Sequence, residues 1–115
     1  MPDIQAVLKE LRIEFGAISS AVISRDGTMI ASDLPSNMTS DTITIMSAAI
    51  MGAAVTAHSE LKIGQPRQIR IISEKHEMVL VGAGRKAMIL TVVPRGARIG
   101  ELELKFSKII DLVCD

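Results

Sequence analysis

A short glycine-rich segment, GAGRKA at positions 82–87, resembles a cofactor-binding motif. It matches the G-x-G-x-x-A fingerprint of dinucleotide-binding proteins, in which a helix follows the glycines and its N-terminus holds the pyrophosphate. The residues that follow here, MILTVV at 88–93, are mostly β-branched and apolar and predict a strand. We therefore predict a hairpin turn at this segment and no nucleotide site. The sequence also lacks G-x-x-x-x-G-K-[ST], the phosphate-binding loop of nucleotidases.

The side chains that most often catalyse reactions or bind metals are few and scattered. His58 and His76 are distant from each other and from Cys114, the only cysteine, and this spacing matches no metal site. A single cysteine excludes an internal disulfide and fits a reducing compartment. No serine lies in a G-x-S-x-G elbow, and Glu101 and Glu103 should point to different sides of a helix. We predict no catalytic, cofactor or metal site, and a protein that is not an enzyme.

Basic residues offer one further kind of chemistry. Arg85, Lys86, Arg95 and Arg98 fall at predicted strand and hairpin ends, where an arginine could act in trans on a partner's reaction; solubilising charge is the interpretation that we favour. Basic and acidic residues balance at 13 each, and Trp and Tyr are absent. The basic surface and stacking platforms typical of nucleic-acid-binding proteins are therefore missing, and we predict no nucleic-acid partner.

The most unusual element is an uncharged segment, Thr42 to Ser59, which predicts a helix. One apolar stripe at helical spacing, which we expect to face the protein's own sheet, consists of Ile43, Met46, Ile50, Ala54, Ala57 and Leu61. The opposite side, where a surface helix carries charge, holds Ile45, Ala49, Gly52 and Thr56. A helix that is apolar nearly all round is buried on more than one side, so we expect another polypeptide to cover it.

Composition also indicates self-association. The residues AVILMFWYC make up 48% of the chain, and with glycine the apolar share is roughly 55%, above the usual range. The longest uninterrupted apolar run, Ala48 to Val55, is too short to cross a bilayer, so we predict no membrane insertion. The N-terminus shows no signal-peptide pattern. We expect a soluble, self-associating protein of the cytoplasm.

The remaining patterns predict eight elements. Asp3 should cap a first helix that Gly16 ends, Ser40 or Asp41 should cap the middle helix, and Gly64 with Pro66 should terminate it. The last helix repeats apolar residues from Ile99 to Val113. Strands are predicted at residues 17–24, 28–33, 67–74, 77–81 and 87–93. The expected fold is α/β of the α+β type: one three-layer domain over residues 1–115, order α-β-β-α-β-β-β-α, with helices on both faces of a five-stranded, mainly antiparallel sheet.

This order suggests a two-fold homodimer. The third strand could lie at the edge of the sheet, where pairing with a second copy removes exposed backbone groups, and small residues on the middle helix permit close approach of its counterpart. The predicted interface consists of Ile45, Ala49, Gly52, Ala53, Thr56, Arg67, Ile69, Ile71 and Ser73.

The sequence resembles the roadblock family, which includes the roadblock-type dynein light chains. The resemblance is carried by AVISRDGTMIASDLP at 21–35, by the small-residue helix after it, and by MVLVGAGRKAMILTVVP at 78–94. It implies a dimer joined through the third strands and middle helices. It also implies a non-catalytic platform, since several prokaryotic members regulate small Ras-like GTPases and others scaffold them. The leading hypothesis is a homodimeric GTPase regulator or scaffold without a cofactor.

A small-molecule sensor is the alternative. It would need an apolar pocket with a few polar groups. Seven methionines could line such a pocket, although at these spacings methionine more often fills a core.

Overall fold

The protein, seen as a computed structural model, is described over residues 3–113. It contains three helices and five strands in the predicted order: α1 (Ile4–Phe15), β1 (Ser19–Ser24), β2 (Met29–Asp33), α2 (Ser40–Leu61), β3 (Gln68–Ile72), β4 (His76–Ala83), β5 (Ala87–Pro94) and α3 (Ile99–Val113). The predicted fold class is thereby confirmed. Cys114, the only cysteine of the sequence, lies outside the described residues.

The five strands form one antiparallel sheet in the order β2-β1-β5-β4-β3. Strand β3 is therefore an edge strand, as predicted. The GAGRKA segment joins β4 to β5 as a hairpin, and Gly84 adopts φ +77° in the turn. A strand rather than a helix follows these glycines, so the dinucleotide fingerprint lacks the helix N-terminus on which its chemistry depends.

Helices α1 and α3 cover one face of the sheet, which we call the two-helix face. Its core is the larger of two, and its fully buried helical side chains are Val7, Leu8, Leu11, Leu102, Phe106 and Ile109. These residues recur at three- and four-residue spacing, so each helix presents one apolar stripe to the sheet. Asp3 caps α1 by accepting from the N–H of Ala6 at 2.7 Å, and Gly16 ends it at φ +69°.

An ion cluster ties the two helices together at the surface. Lys105 Nζ on α3 lies 3.0 Å from Glu10 Oε2 and 2.8 Å from Glu14 Oε2 on α1. The hydrogen bond from Lys105 lowers the pKa of Glu10, and the bonds to Glu14 and then Glu10 raise the pKa of Lys105. Both shifts favour the charged forms, so the cluster stabilises the α1–α3 contact at neutral pH.

Helix α2 lies on the opposite face, which we call the α2 face. The buried residues of α2 are Thr44, Ser47 and Met51, and Met51 shares a core with strand residues such as Ala21 and Ile23. The predicted sheet-facing stripe is therefore partly wrong. Within it, Ile43 and Ile50 pack partly against this core, and Ala54 is half-buried, whereas Met46, Ala57 and Leu61 are exposed. Because apolar residues surround the helix, periodicity did not fix its rotation. Thr44 and Ser47, both small, are buried instead of Met46.

Both ends of α2 also differ from the prediction. The N-cap is Thr39, without a side-chain hydrogen bond, rather than Ser40 or Asp41. At the C-terminus, Lys62 adopts the left-handed conformation at φ +57°, and its N–H donates to the carbonyls of His58 and Ser59. The helix thus ends before Gly64 and Pro66, and it ends on a residue for which that conformation is costly.

Candidate protein–protein interface

The outer side of α2 is an exposed apolar surface, which we define by Ile45, Met46, Ala49, Gly52, Ala53 and Thr56. Ile45 is 55% exposed and Met46 51%, and the other four are exposed as well. A Cβ added to Gly52 would meet nothing within 4 Å. Exposed large apolar side chains on a helix without intervening charge are typical of a surface that a partner covers.

Strand β3 carries further apolar residues that are at least partly exposed, at the edge of the sheet and on the same side as α2. The register pairs Ile69 with Leu80 and Ile71 with Met78, and Leu80 belongs to the core of the α2 face. Ile69 and Ile71 therefore point to the same side of the sheet as α2, and Ile71 is 41% exposed. Helix α2 lies against β1 and β2, which leaves the α2 face of β3 open.

The remaining predicted interface residues of this segment flank β3 rather than belong to it. The carbonyl of Arg67 accepts from the N–H of Gly82 at 3.2 Å, before the strand begins. The N–H of Ser73 donates to the carbonyl of His76 at 2.8 Å and closes the turn into β4. The carbonyl of Arg67 and the N–H of Ser73 are thus both hydrogen-bonded within the chain. The structure brings the α2 and β3 residues to one side of the sheet, and their role in dimerisation stays a prediction.

A cavity of about 330 Å³ lies between the N-terminal half of α2 and the sheet. Its walls are almost entirely apolar and include Met38, Met46 and Met78. Ser19 provides a polar group, and its hydroxyl donates to Met38 Sδ at 3.2 Å. Of these three methionines, sequence reasoning named only Met46, as part of the sheet-facing stripe. The count of seven methionines did not say which of them converge.

Helix α2 also satisfies the length and composition expected of a membrane-spanning helix. Its 22 residues include an 18-residue window of mean hydropathy 1.3, of which 17% is buried. The apolar run considered in the sequence, Ala48 to Val55, is shorter because threonine and serine interrupt it on both sides. In the folded chain α2 contributes Met51 to the core of the α2 face, so leaving the sheet would expose that core. The absence of membrane insertion stays a prediction.

Comparison with known proteins identifies the family to which this chain belongs. The family model described as the Roadblock/LC7 domain matches residues 3–93. The chain belongs to the Roadblock/LC7 family. Proteins of this family are generally non-enzymatic adaptors or regulators. Helix α3 lies beyond the matched residues.

Two other proteins are similar to this Roadblock/LC7 chain in sequence. An uncharacterized protein of Methanocaldococcus jannaschii is 33% identical over 87 residues, which are 76% of this chain and 74% of that protein. A second protein of the same organism is 32% identical over 87 residues, 76% of each chain.

Solved structures share the fold of this Roadblock/LC7 chain. Myxococcus xanthus MglB superimposes with a TM-score of 0.85 at 15% identity, over 96% of this chain and 90% of that one. A Roadblock/LC7 domain from Streptomyces avermitilis gives 0.85 at 15% identity, over 97% and 95%. The gliding protein MglB of Thermus thermophilus gives 0.78 at 22% identity, over 93% and 82%. These structures extend over α3, so the whole described architecture belongs to the fold.

Proposed function

We propose that this protein is a non-catalytic, cytoplasmic regulator or scaffold that forms a homodimer and binds and modulates a small Ras-like GTPase. The observation that carries the proposal is that the outer side of α2 and the edge strand β3 both expose apolar residues on the same side of the sheet. Ile45, Met46 and Ile71 are each at least two-fifths exposed on one side of the sheet. Membership of the Roadblock/LC7 family supports the regulatory role.

A second copy of the chain is the occupant that fits this surface best. Strand β3 has one unpaired edge, and antiparallel pairing with its counterpart would satisfy those backbone groups. Ala49, Gly52 and Ala53 would let two α2 helices approach closely. Because the outer side of α2 has no formal charge, its burial against an identical surface costs no ion desolvation. One of the solved MglB structures is described as having a tetrameric arrangement, which supports self-association in this fold.

The GTPase assignment rests on the family. Several prokaryotic roadblock proteins regulate small Ras-like GTPases, and the dimer would create a composite surface from two α2 helices. The partner would dock across both copies, so that dimerisation and GTPase binding are coupled. No part of this proposal requires a catalytic residue on this chain.

The dimer can be tested by light scattering on purified protein. We expect a mass of about twice 12.4 kDa, and we expect Gly52→Glu to reduce it toward the monomer because charge would be buried between helices. Gly100→Glu is the matched control, since Gly100 is also an exposed helical glycine with nothing within 4 Å of an added Cβ. A wild-type protein that is folded and monomeric at micromolar concentration would contradict the dimer.

The GTPase partner can be tested by affinity purification from the source organism, with separate GDP and GTP loading. Small GTPases recovered with the protein would then be purified, and their nucleotide hydrolysis and exchange measured with and without it. We expect a changed rate with wild-type protein and little change with Gly52→Glu, while Gly100→Glu should act as wild type. Failure to recover a GTPase in either nucleotide state would argue strongly against this proposal.

The cavity beneath α2 favours one other candidate, a sensor for an apolar small molecule. Its volume of about 330 Å³ lies at the small end of the range for ligand sites. A thermal-shift screen against apolar metabolites separates the two candidates. A saturable rise in melting temperature that Ser47→Phe abolishes would favour the sensor, because the larger side chain would fill the cavity.

A further inference from the structure

A second cavity, of about 560 Å³, lies where the β4–β5 turn and the start of β3 meet α3. Its volume falls within the range of small-molecule sites. Part of its wall is apolar, from Pro66, Val81, Phe106 and Ile110. The rest is polar, and the charged residues there are Arg25, Arg67 and Glu103. The α3 residues of the wall, Glu103, Phe106, Ser107 and Ile110, all lie outside the part of the chain that the family model matches.

The Arg25 guanidinium is held in place by the backbone. Its Nε donates to the carbonyl of Ala87 at 3.0 Å, and its Nη2 donates to the carbonyl of Gly84 at 2.8 Å. It also packs on Gly82, where an added Cβ would come within 2.9 Å of Nη2. The GAGRKA segment thus provides both carbonyls that hold the Arg25 guanidinium, and its first glycine provides the space for it. A group fixed before binding loses little conformational freedom when a ligand arrives.

This cation lacks a protein counter-ion in the described part of the chain. Within residues 3–113, no carboxylate oxygen lies within 4.0 Å of the Arg25 guanidinium. Arginine has five N–H donors, and two of them are used by Gly84 and Ala87. The unused donors match the geometry of a carboxylate or phosphate, which arginine binds with charge-assisted hydrogen bonds.

We propose that this cavity binds a small organic anion, with a carboxylate or phosphate head on Arg25 and an apolar body against Phe106 and Ile110. The site goes beyond the proposed regulatory function and does not depend on it. Among the lining residues that the structure describes, Glu103 is the one acidic residue. It disfavours further negative charge and therefore limits the ligand to a single anionic group.

The test uses three probes with the same chain and different heads: hexanoate, hexyl phosphate and 1-hexanol. Amide chemical shifts of the full-length protein are followed as each probe is added, to about 10 mM. We expect saturable shifts around Gly82 and Ser107 with at least one acid, and binding of 1-hexanol weaker by about tenfold or more. The tighter acid identifies the head group. Absence of saturable shifts with both acids, or equal binding of the alcohol, would overturn the proposal.

Two glutamate substitutions on α3 locate the site. Ser107 lines the cavity and is exposed, whereas Leu104 is exposed outside it. Ser107→Glu should weaken binding of the acid by about tenfold, because it places a second carboxylate in the cavity, and Leu104→Glu should leave it unchanged. Equal effects of the two substitutions would place the binding elsewhere and contradict the proposal.

The charge of the ligand is tested separately. Glu103→Gln removes the acidic group without changing its size, so binding of the acid should tighten. Weaker binding in this variant would contradict assignment of the ligand as an anion.

Discussion

The two faces of the sheet are covered to different extents. On the two-helix face, α1 and α3 bury a core that includes Leu8 and Phe106, and Lys105 joins the helices through two carboxylates. On the α2 face, a single helix buries three of its own residues and leaves Ile45 and Met46 more than half exposed. On the first face exposed apolar side chains such as Ile13 and Leu104 stand among charged neighbours, while those of α2 lie on an uncharged helix side.

The difference follows from the charge pattern of the helices. Helices α1 and α3 carry charged residues on their outer sides, so one side of each is suited to water and the other to the core. Helix α2 lacks formal charge from Thr42 to Ser59, and no side of it is specialised for solvent. Stability should therefore depend mainly on the two-helix face, and association on the α2 face.

The largest expected contrast is between Leu8→Ala and Ile45→Ala. Leu8 is fully buried on the two-helix face, so its truncation should lower the free energy of unfolding by about 3 kcal/mol. Ile45→Ala should change the unfolding free energy of the monomer by less than about 0.5 kcal/mol, and its cost should appear only through association. Urea unfolding at two protein concentrations measures both. Equal, concentration-independent losses would contradict the division of roles.

The next contrast concerns the two sides of β3. Within the described residues, an ion pair is present only on the side that belongs to the two-helix face. Arg70 Nε and Nη2 donate to Glu77 Oε1 at 2.9 and 2.6 Å, and the Glu77 side chain is 3% exposed. Arg70→Ala should lower the unfolding free energy by about 3 kcal/mol because a buried carboxylate loses its partner. Gln68→Ala, on the same side of β3, is the control and should have little effect.

A double variant separates the charge from the packing. Adding Glu77→Gln to Arg70→Ala should recover part of the lost stability, since the uncompensated charge is gone. If the double variant is no more stable than Arg70→Ala, the pair acts through packing alone.

The C-terminal ends of α1 and α2 give a smaller contrast. Both end in the left-handed region, α1 with Gly16 at φ +69° and α2 with Lys62 at φ +57°. Lys62→Gly should raise the unfolding free energy by about 0.5 kcal/mol, and Gly16→Ala should lower it by about 1 kcal/mol. The contacts of an added Cβ at Gly16 begin at 3.5 Å, so its cost is conformational. Thermal unfolding of both variants checks the opposite signs.

The two-helix face was largely predictable from the sequence, and the α2 face was not. Leu102, Phe106 and Ile109 recur at helical spacing, and the structure buries all three. Periodicity carries this information only when one side of a helix differs from the other. The two sides of α2 are similarly apolar, so the sequence predicted that Met46 faces the sheet. In the structure Thr44 and Ser47 are buried there instead.

The sequence also did not predict which residues far apart in the chain come into contact in the fold. The predicted interface included Ile69 and Ile71 but not Gln68 and Arg70, and the structure places these two pairs on opposite sides of β3, because a strand has a fixed period of two. By contrast, Arg25 reaches the GAGRKA turn through hydrogen bonds across about sixty residues of chain. Local patterns do not encode such a contact, and the glycines alone predicted only the turn.

The smallest expected contrast is the pH response of the α1–α3 ion cluster. The pKa of Glu10 is lower in the folded chain than its ordinary 4.5, chiefly through its hydrogen bond from Lys105. Its contribution to stability is therefore present above pH 4.5 and is lost as the pH falls through the folded pKa. The pKa of Lys105 is raised, so its contribution is complete below its ordinary 10.5 and is lost only at more alkaline pH.

Acid titration of two lysine variants tests this response. The unfolding free energy of the wild type should fall more steeply between about pH 5 and 3 than that of Lys105→Met, which has lost the interaction. Lys9→Met, an exposed lysine of α1 outside the ion pairs of the described residues, is the control and should follow the wild type. The difference should shrink at about 1 M salt, because the charges are at the surface. Identical acid profiles for Lys105→Met and wild type would mean that apolar packing alone joins α1 to α3.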